Sequence, residues 1–332
     1  MTVHANFLPI TASPILSVRD LTVGFTGDDG WLVAAAGVSF DLWPGRTTGL
    51  VGESGCGKTV TALALMGLVP PPGRITTGSI QLGGQELTTL DAAGLDRVRG
   101  RRIAMIFQEP MTALNPVFTV GEQVAEVLRA HRGLDRRAAW AEAVEGLHRV
   151  GIADPARRAT AYPHQMSGGM RQRAMIAMAL AGEPDVLIAD EPTTALDVTI
   201  QAQIIDLLLD IQERMGLTIL FISHDLGVVS EVADEVLVMY AGRLVEAAPA
   251  AALFAGPQHP YTQGLLATLP GRTAPGTRLP SIPGQVPDLR RLPAGCRFSD
   301  RCSRVKTACR TAEPELRTIG TAHRAACIRI GA

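Results

Sequence analysis

Between residues 15 and 51 the chain alternates short apolar runs, ILSVRDLTV, LVAAAGVSFDL and RTTGLV, with glycine and proline punctuation. Runs of that kind predict strands joined by turns. From Thr59 the stretch VTALALMGLV changes to helical spacing, which predicts a helix running up to Pro70-Pro71-Pro72. Residues 120–150 hold apolar positions at helical spacing in two stretches, so two amphipathic helices broken around Gly133 are expected. Another helix is expected over Arg171–Leu180, ending before Gly182. Two strand-like runs follow, VLIAD and LTILFIS, separated by the helical QAQIIDLLLDIQERMG. Strand, helix and strand at that spacing predict a parallel α/β sheet. After residue 256 the pattern fades. Prolines at 257, 260, 270, 275, 280, 283, 287 and 293 predict an appended, loop-rich segment rather than more sheet. No fixed-period repeat and no low-complexity block interrupts this order.

Composition narrows the classes of function. The 332 residues are 46% hydrophobic and 19% charged, as expected of a globular chain with two or three folding units. With 31 basic and 32 acidic side chains the net charge is −1, which argues against nucleic acid or an anionic lipid surface as the main partner. Aromatics at 4% argue against stacking platforms for single strands. No apolar run approaches the ~20 residues of a membrane helix. The opening MTVHANFLPITASP lacks a basic stretch followed by an apolar one, so a cytosolic chain without lasting disulfides is expected.

Candidate chemistry concentrates at Gly52-Glu53-Ser54-Gly55-Cys56-Gly57-Lys58-Thr59, which fits G-x-x-x-x-G-K-[ST] between the apolar run TTGLV and a helix-forming run. Glycines let successive backbone N–H groups turn inward on phosphate oxygens, and the helix that follows adds its positive end. Lys58 supplies a point charge for the β and γ phosphates, and the Thr59 hydroxyl suits Mg²⁺. Cys56 reads as a small tolerated residue rather than a nucleophile. A second acidic site is expected at the end of VLIAD: Asp190 to hold Mg²⁺ through water or Thr59, and Glu191 to polarise the attacking water.

Around this core, further motifs stand in order. Met166-Ser167-Gly168-Gly169-Met170-Arg171-Gln172-Arg173 resembles the signature of ABC-type ATPases, Gln108 in IFQEP their Q-loop, Ala195-Leu196-Asp197 their D-loop, and His224 in FISHD their switch histidine. The resemblance covers about residues 15–250. It implies a P-loop (RecA-like) α/β ATPase core with a helical subdomain at about 110–180 and an antiparallel β region. It further implies two such subunits pairing head to tail, each ATP lying between one phosphate loop and the partner's Ser167-Gly168-Gly169. By the same resemblance Glu191 is the general base and His224 a γ-phosphate contact. Gln108 joins Thr59 and Asp190 at Mg²⁺ and links nucleotide to membrane subunits, while Gly52 to Thr59 and Val60 line the ATP. An aromatic stacks on adenine, Phe25 first and Trp31 as its rival. Met166 and Met170 depart from the commonest signature, but the serine and both glycines remain.

GMRQR, QEPMTALNP and HPYTQGLLATLP at 259–270 are similar to the ATP-binding subunits of oligopeptide and dipeptide importers, as is a cysteine tail at Cys296, Cys302, Cys309 and Cys327. This resemblance implies an extension over 251–332 and peptide import driven at the cytoplasmic face of the membrane. The implied partners are two permease subunits, a second and different ATPase subunit, and an external binding protein. Nickel or another small solute is the alternative cargo, and a soluble ABC ATPase of DNA repair or translation is the rival class. The tail's spacing, C-x5-C-x6-C-x17-C, lacks the close pairs of structural zinc sites, whereas a four-thiolate iron–sulfur cluster tolerates it. The resemblance favours a 4Fe–4S cluster. Zinc and four reduced thiols stay open.

Overall fold

The computed structural model describes residues 13–27, 30–194, 196–269 and 280–330. In chain order the first half holds β1 (Leu16–Gly27), β2 (Gly30–Leu42), β3 (Thr47–Val51), α1 (Lys58–Leu65), β4 (Gly73–Leu82), β5 (Gln85–Glu86), α2 (Ala92–Val98), β6 (Ile103–Ile106), α3 (Pro110–Ala113), α4 (Val120–Arg132), α5 (Arg136–Arg149), α6 (Pro155–Ala159) and α7 (Gly168–Leu180). The second half continues with β7 (Val186–Asp190), α8 (Val198–Met215), β8 (Thr218–Ser223), α9 (Leu226–Val232), β9 (Glu235–Tyr240), β10 (Arg243–Pro249), α10 (Ala250–Ala255), α11 (Pro260–Ala267), β11 (Arg317–Gly320) and β12 (His323–Ala325).

The strands form two sheets. A small antiparallel sheet has the order β2-β1-β4-β5, and the large one runs β11-β12-β10-β9-β3-β8-β7-β6. From β9 to β6 every neighbour is parallel, with β3 between β8 and β9. Strands β3, β7 and β8 are buried at every residue, which is why they read as continuous apolar runs rather than alternating ones. One apolar core lies between the large sheet and the helices that follow β6 and β7; a second joins the two sheets around α1.

Helices α3 to α7 all fall between β6 and β7. The break at Gly133 is a left-handed C-cap at φ 65°, and Asp135 then caps α5 by accepting the Ala138 N–H at 2.8 Å. Two boundaries differ from expectation. The helix after the phosphate motif ends at Leu65 rather than at the prolines, because Gly67 turns left-handed at φ 62°. Helix α7 begins at Gly168, three residues earlier than expected, because Ser167 caps it through the Met170 N–H at 3.3 Å.

The segment after residue 256 also departs from its expectation. It does contain sheet: β12 pairs antiparallel with β10, and β11 with β12, so the tail extends the large sheet at its edge. Strands of three or four residues are too short to show an alternating pattern, and it is the free edge of β10 that selects them.

Candidate functional site

The loops that leave the carboxyl ends of β3, β6, β7 and β8 converge, as ligand-binding loops do in open parallel sheets. After β3 comes the phosphate loop. Gly57, the residue before α1, has φ 107°, and a Cβ there would meet the Ala34 carbonyl oxygen at 2.4 Å. At Gly52 a Cβ would lie 2.2 Å from the Met239 carbonyl oxygen. The loop is therefore pressed against β2 and β9, and only glycine fits at both points. Lys58 is 5% exposed, and its Nζ donates to the carbonyls of Gly52 at 2.7 Å and Glu53 at 3.2 Å. The cation thus sits inside the curl of the loop at the start of a helix, where anions are favoured.

Strand β7 delivers the two carboxylates. Asp190 is 1% exposed and accepts from the Thr59 hydroxyl at 3.4 Å, so the two hard-oxygen donors expected at Mg²⁺ are neighbours. Burial pushes the Asp190 carboxyl up from 3.8 to about 6, against the Thr59 hydrogen bond that pulls it down. A buried carboxylate with one weak partner suits a divalent cation. Because the folded chain holds the Asp190 proton more tightly than the unfolded chain, stability falls as pH rises from 3.8 to about 6. The ionised group then costs about 3 kcal/mol at neutral pH, at ~1.4 kcal/mol per pH unit. Asp190→Asn in the metal-free protein is expected to be more stable than the parent at pH 8 by about 1–3 kcal/mol, with the gain fading toward pH 4. Chemical denaturation at the two pH values checks this, and equal stability at both would refute it.

Glu191 turns the other way. Its backbone is left-handed at φ 47°, an uncommon conformation for a side-chain-bearing residue, and its N–H is fixed to the Ile222 carbonyl at 2.9 Å. Its carboxylate accepts from the Thr194 hydroxyl at 2.8 Å and the Gln108 amide at 2.9 Å, and lies 3.2 Å from His224 Nδ1. Burial raises this carboxyl, but Thr194 and His224 together outweigh burial and leave it below its ordinary range. Adjacent carboxylates thus titrate in opposite directions, Asp190 upward and Glu191 downward. Gln108, Glu191 and His224 form one hydrogen-bonded group from the segments that follow β6, β7 and β8. Thr194 completes it; sequence reasoning passed over this residue, although it lies three positions after Glu191.

Ser167, Gly168 and Gly169 lie at the start of α7, which packs on α3, α4, α5 and β6. Ser167 and Gly168 are exposed at the N-terminus of this 13-residue helix. Leu196 and Ile200 approach the two glycines, so the D-loop stretch runs beside the signature; Ala195 lies outside the described residues. Of the two candidate aromatics, Phe25 is half-buried against Gly73 and Val69. Trp31 is 40% exposed, with the Arg74 guanidinium 4.9 Å from its ring centre.

The four tail cysteines line one narrow pocket together with His259 and Phe298, and all are free thiols. Backbone N–H groups of Arg304, Lys306 and Arg329 reach the sulfurs of Cys302, Cys309 and Cys327 at 3.4–3.5 Å. Burial raises Cys296 to about 11 and also raises Cys327. Four soft donors in one pocket with N–H groups on the sulfurs fit thiolate ligation in donor type. Among the described residues, however, no three His, Cys, Asp or Glu side chains are placed closely enough to hold a metal ion.

Comparison with known proteins agrees with this geometry. The family "ABC transporter" matches residues 35–194, and the family "Oligopeptide/dipeptide transporter, C-terminal region" matches residues 245–309. A relative from Sinorhizobium fredii, the "Probable peptide ABC transporter ATP-binding protein", is 52% identical over 96% of this chain and 96% of its own length. Among solved structures, the ATP-binding cassette MJ0796, a dimer in a post-hydrolysis state bound to ADP and Pi, superposes with a TM-score of 0.64. It is 26% identical, and the match covers 71% of this chain and 98% of that one. The protein cbiO1 of Clostridium perfringens, part of an ABC transporter complex, gives 0.62 at 27% identity, over 74% and 92% of the two chains. With a phosphate loop, an acidic pair, a glutamine and a histidine gathered at the ends of parallel strands, and a relative this close over nearly its whole length, the chain belongs to the ATP-binding subunits of ABC transporters and is an ABC-type ATPase.

Proposed function

We propose that this chain is the ATP-hydrolysing subunit of a peptide importer, pairing head to tail with a second, different ATPase subunit and driving two membrane-spanning permeases. An external binding protein supplies the peptide. In this reading the permeases provide the membrane spans and this chain docks at their cytoplasmic face; among the described residues no helix is long and apolar enough to cross a membrane. The observation that carries the reading is the gathering of Lys58, Thr59, Asp190, Glu191, Gln108 and His224 at one end of the sheet, in a chain whose C-terminal region matches the oligopeptide/dipeptide family.

The roles follow from position. Residues Gly52 to Val60 cradle the phosphates of ATP, and either Phe25 or Trp31 supplies the adenine platform. Thr59, Asp190 and Gln108 would hold Mg²⁺, which when bound neutralises charge on the phosphates. Glu191, ionised and aligned by Thr194, takes the proton of the attacking water, and His224 contacts the γ-phosphate. Ser167, Gly168 and Gly169 present a capped helix start to the ATP of the paired subunit. Hydrolysis then reopens the dimer and resets the permeases.

The division into an ATPase body over 15–250, with its helical part at about 110–180, and an extension over 251–332 belongs to the same proposal. Cys296, Cys302, Cys309 and Cys327 would hold a 4Fe–4S cluster, with zinc the competing occupant. Such a group, when bound, cross-links the tail. Protein purified without oxygen should be brown, absorb near 400 nm and carry about four irons per chain; stoichiometric zinc or no metal would refute the cluster. The function itself is tested by reconstituting the whole complex in vesicles. ATP-dependent uptake of a labelled dipeptide or oligopeptide is expected, and uptake of another solute but no peptide would overturn the cargo assignment.

A further inference from the structure

Glu53 is the second residue of the phosphate loop, and all three of its polar groups are held. Its carbonyl faces Lys58 Nζ at 3.2 Å, and its N–H donates to the Tyr261 hydroxyl at 2.9 Å. Its carboxylate is forked by the Arg301 guanidinium, NH1 to Oε2 at 2.6 Å and NH2 to Oε1 at 2.9 Å. Tyr261 and Arg301 both come from beyond residue 256. Tyr261 stands in α11, and Arg301 stands in the turn between Cys296 and Cys302.

This contact is firmly mounted. The Arg301 side chain is 6% exposed, its Nε donates to the Pro283 carbonyl at 2.9 Å, and its guanidinium lies 5.8 Å from the centre of the Tyr240 ring. Tyr240, Tyr261 and Phe298 pack with ring centres 4.5–5.5 Å apart and back the pair. The Glu53 hydrogen bonds raise the Arg301 proton affinity, so the fork stays charged throughout.

We propose that Arg301 and Tyr261 are positioning residues for the phosphate loop: the C-terminal extension grips Glu53 from outside and thereby sets nucleotide affinity. The proposal rests on the reading that Gly52 to Thr59 bind ATP. Two physical reasons support it. A carboxylate in a loop built for a polyanion repels that ligand, and the Arg301 fork cancels its charge. Converging N–H groups also repel one another when no anion is present, so a loop held from outside arrives ordered and loses less freedom on binding. An ion pair that only fastened the tail would supply neither effect at the phosphates.

The test uses the assembled transporter and the non-hydrolysable analogue AMP-PNP with Mg²⁺, reading only the binding that Lys58→Ala in this chain removes. Arg301→Met is expected to raise Kd about tenfold, through an uncancelled carboxylate beside the phosphates. Adding Glu53→Gln to Arg301→Met should recover most of that loss, a reversal that damage to packing would not show. Arg301→Lys, which keeps the charge and loses the fork, should fall between parent and Arg301→Met. Parent-like affinity in Arg301→Met, or no recovery with Glu53→Gln, overturns the proposal. If Arg301→Met fails to assemble, Tyr261→Phe takes its place: about threefold weaker binding is expected, and unchanged affinity overturns the proposal. Lys58→Ala binding that equals the parent's would instead sink the ATP-site reading itself.

Discussion

Glu191→Gln in the assembled transporter is expected to keep Mg-ATP binding near the parent's and to lose turnover by about 10²–10⁴-fold, the usual contribution of a positioned base. The substitution preserves shape and the left-handed backbone at φ 47°, so the loop after β7 should stay in place. The Thr194 hydroxyl and the Gln108 amide can still meet an amide oxygen at this position. What disappears is the negative charge that can accept a proton from water. Because this carboxyl titrates below its ordinary range, it stays ionised in mildly acidic solution, and the fold-loss on substitution should be the same at pH 6 and pH 8. Steady-state phosphate release alongside nucleotide binding checks the split. Near-parent hydrolysis by Glu191→Gln would remove Glu191 from the base role.

Lys58→Ala is expected to weaken both binding and turnover, by about 10²–10³-fold in kcat/KM, since it removes a desolvated cation from a polyanion site. The ammonium lies inside the loop on the carbonyls of Gly52 and Glu53, so its loss also frees two acceptors that now face each other without a donor. The two variants therefore separate: one loses the chemistry with the ligand still bound, the other loses the ligand. Unchanged kcat/KM in Lys58→Ala would contradict the phosphate-loop assignment.

Much of this site could be read along the chain because its parts are contiguous. The phosphate loop, its strand and its helix occupy residues 47–65 without interruption, and the acidic pair ends a five-residue apolar strand. Local rules decide such elements: glycine for a tight approach, a cap for a helix start, a continuous apolar run for a doubly covered strand. The same rules missed boundaries where one residue overrides the pattern, as Gly67 does after α1 and Ser167 does before α7. They missed β11 and β12 because a strand of three or four residues carries no period, and the β10 edge recruits it.

Long-range pairing lay beyond such rules. Gln108 and Glu191 are 83 positions apart, and Glu53 and Arg301 are 248 apart. Nothing near Arg301 in the sequence marks it as a partner of the phosphate loop, and Thr194 looks like any threonine in a turn. The amino-acid order by itself determined the chemistry this protein carries: a cradle for phosphates, a carboxylate pair, and four cysteines in a proline-rich tail. Only the tertiary structure decided which carboxylate holds its proton more tightly, what aligns Glu191, and that the tail reaches back to the nucleotide loop. Proton affinity and alignment depend on burial and on neighbours brought together by the sheet, and neither property belongs to a residue in isolation.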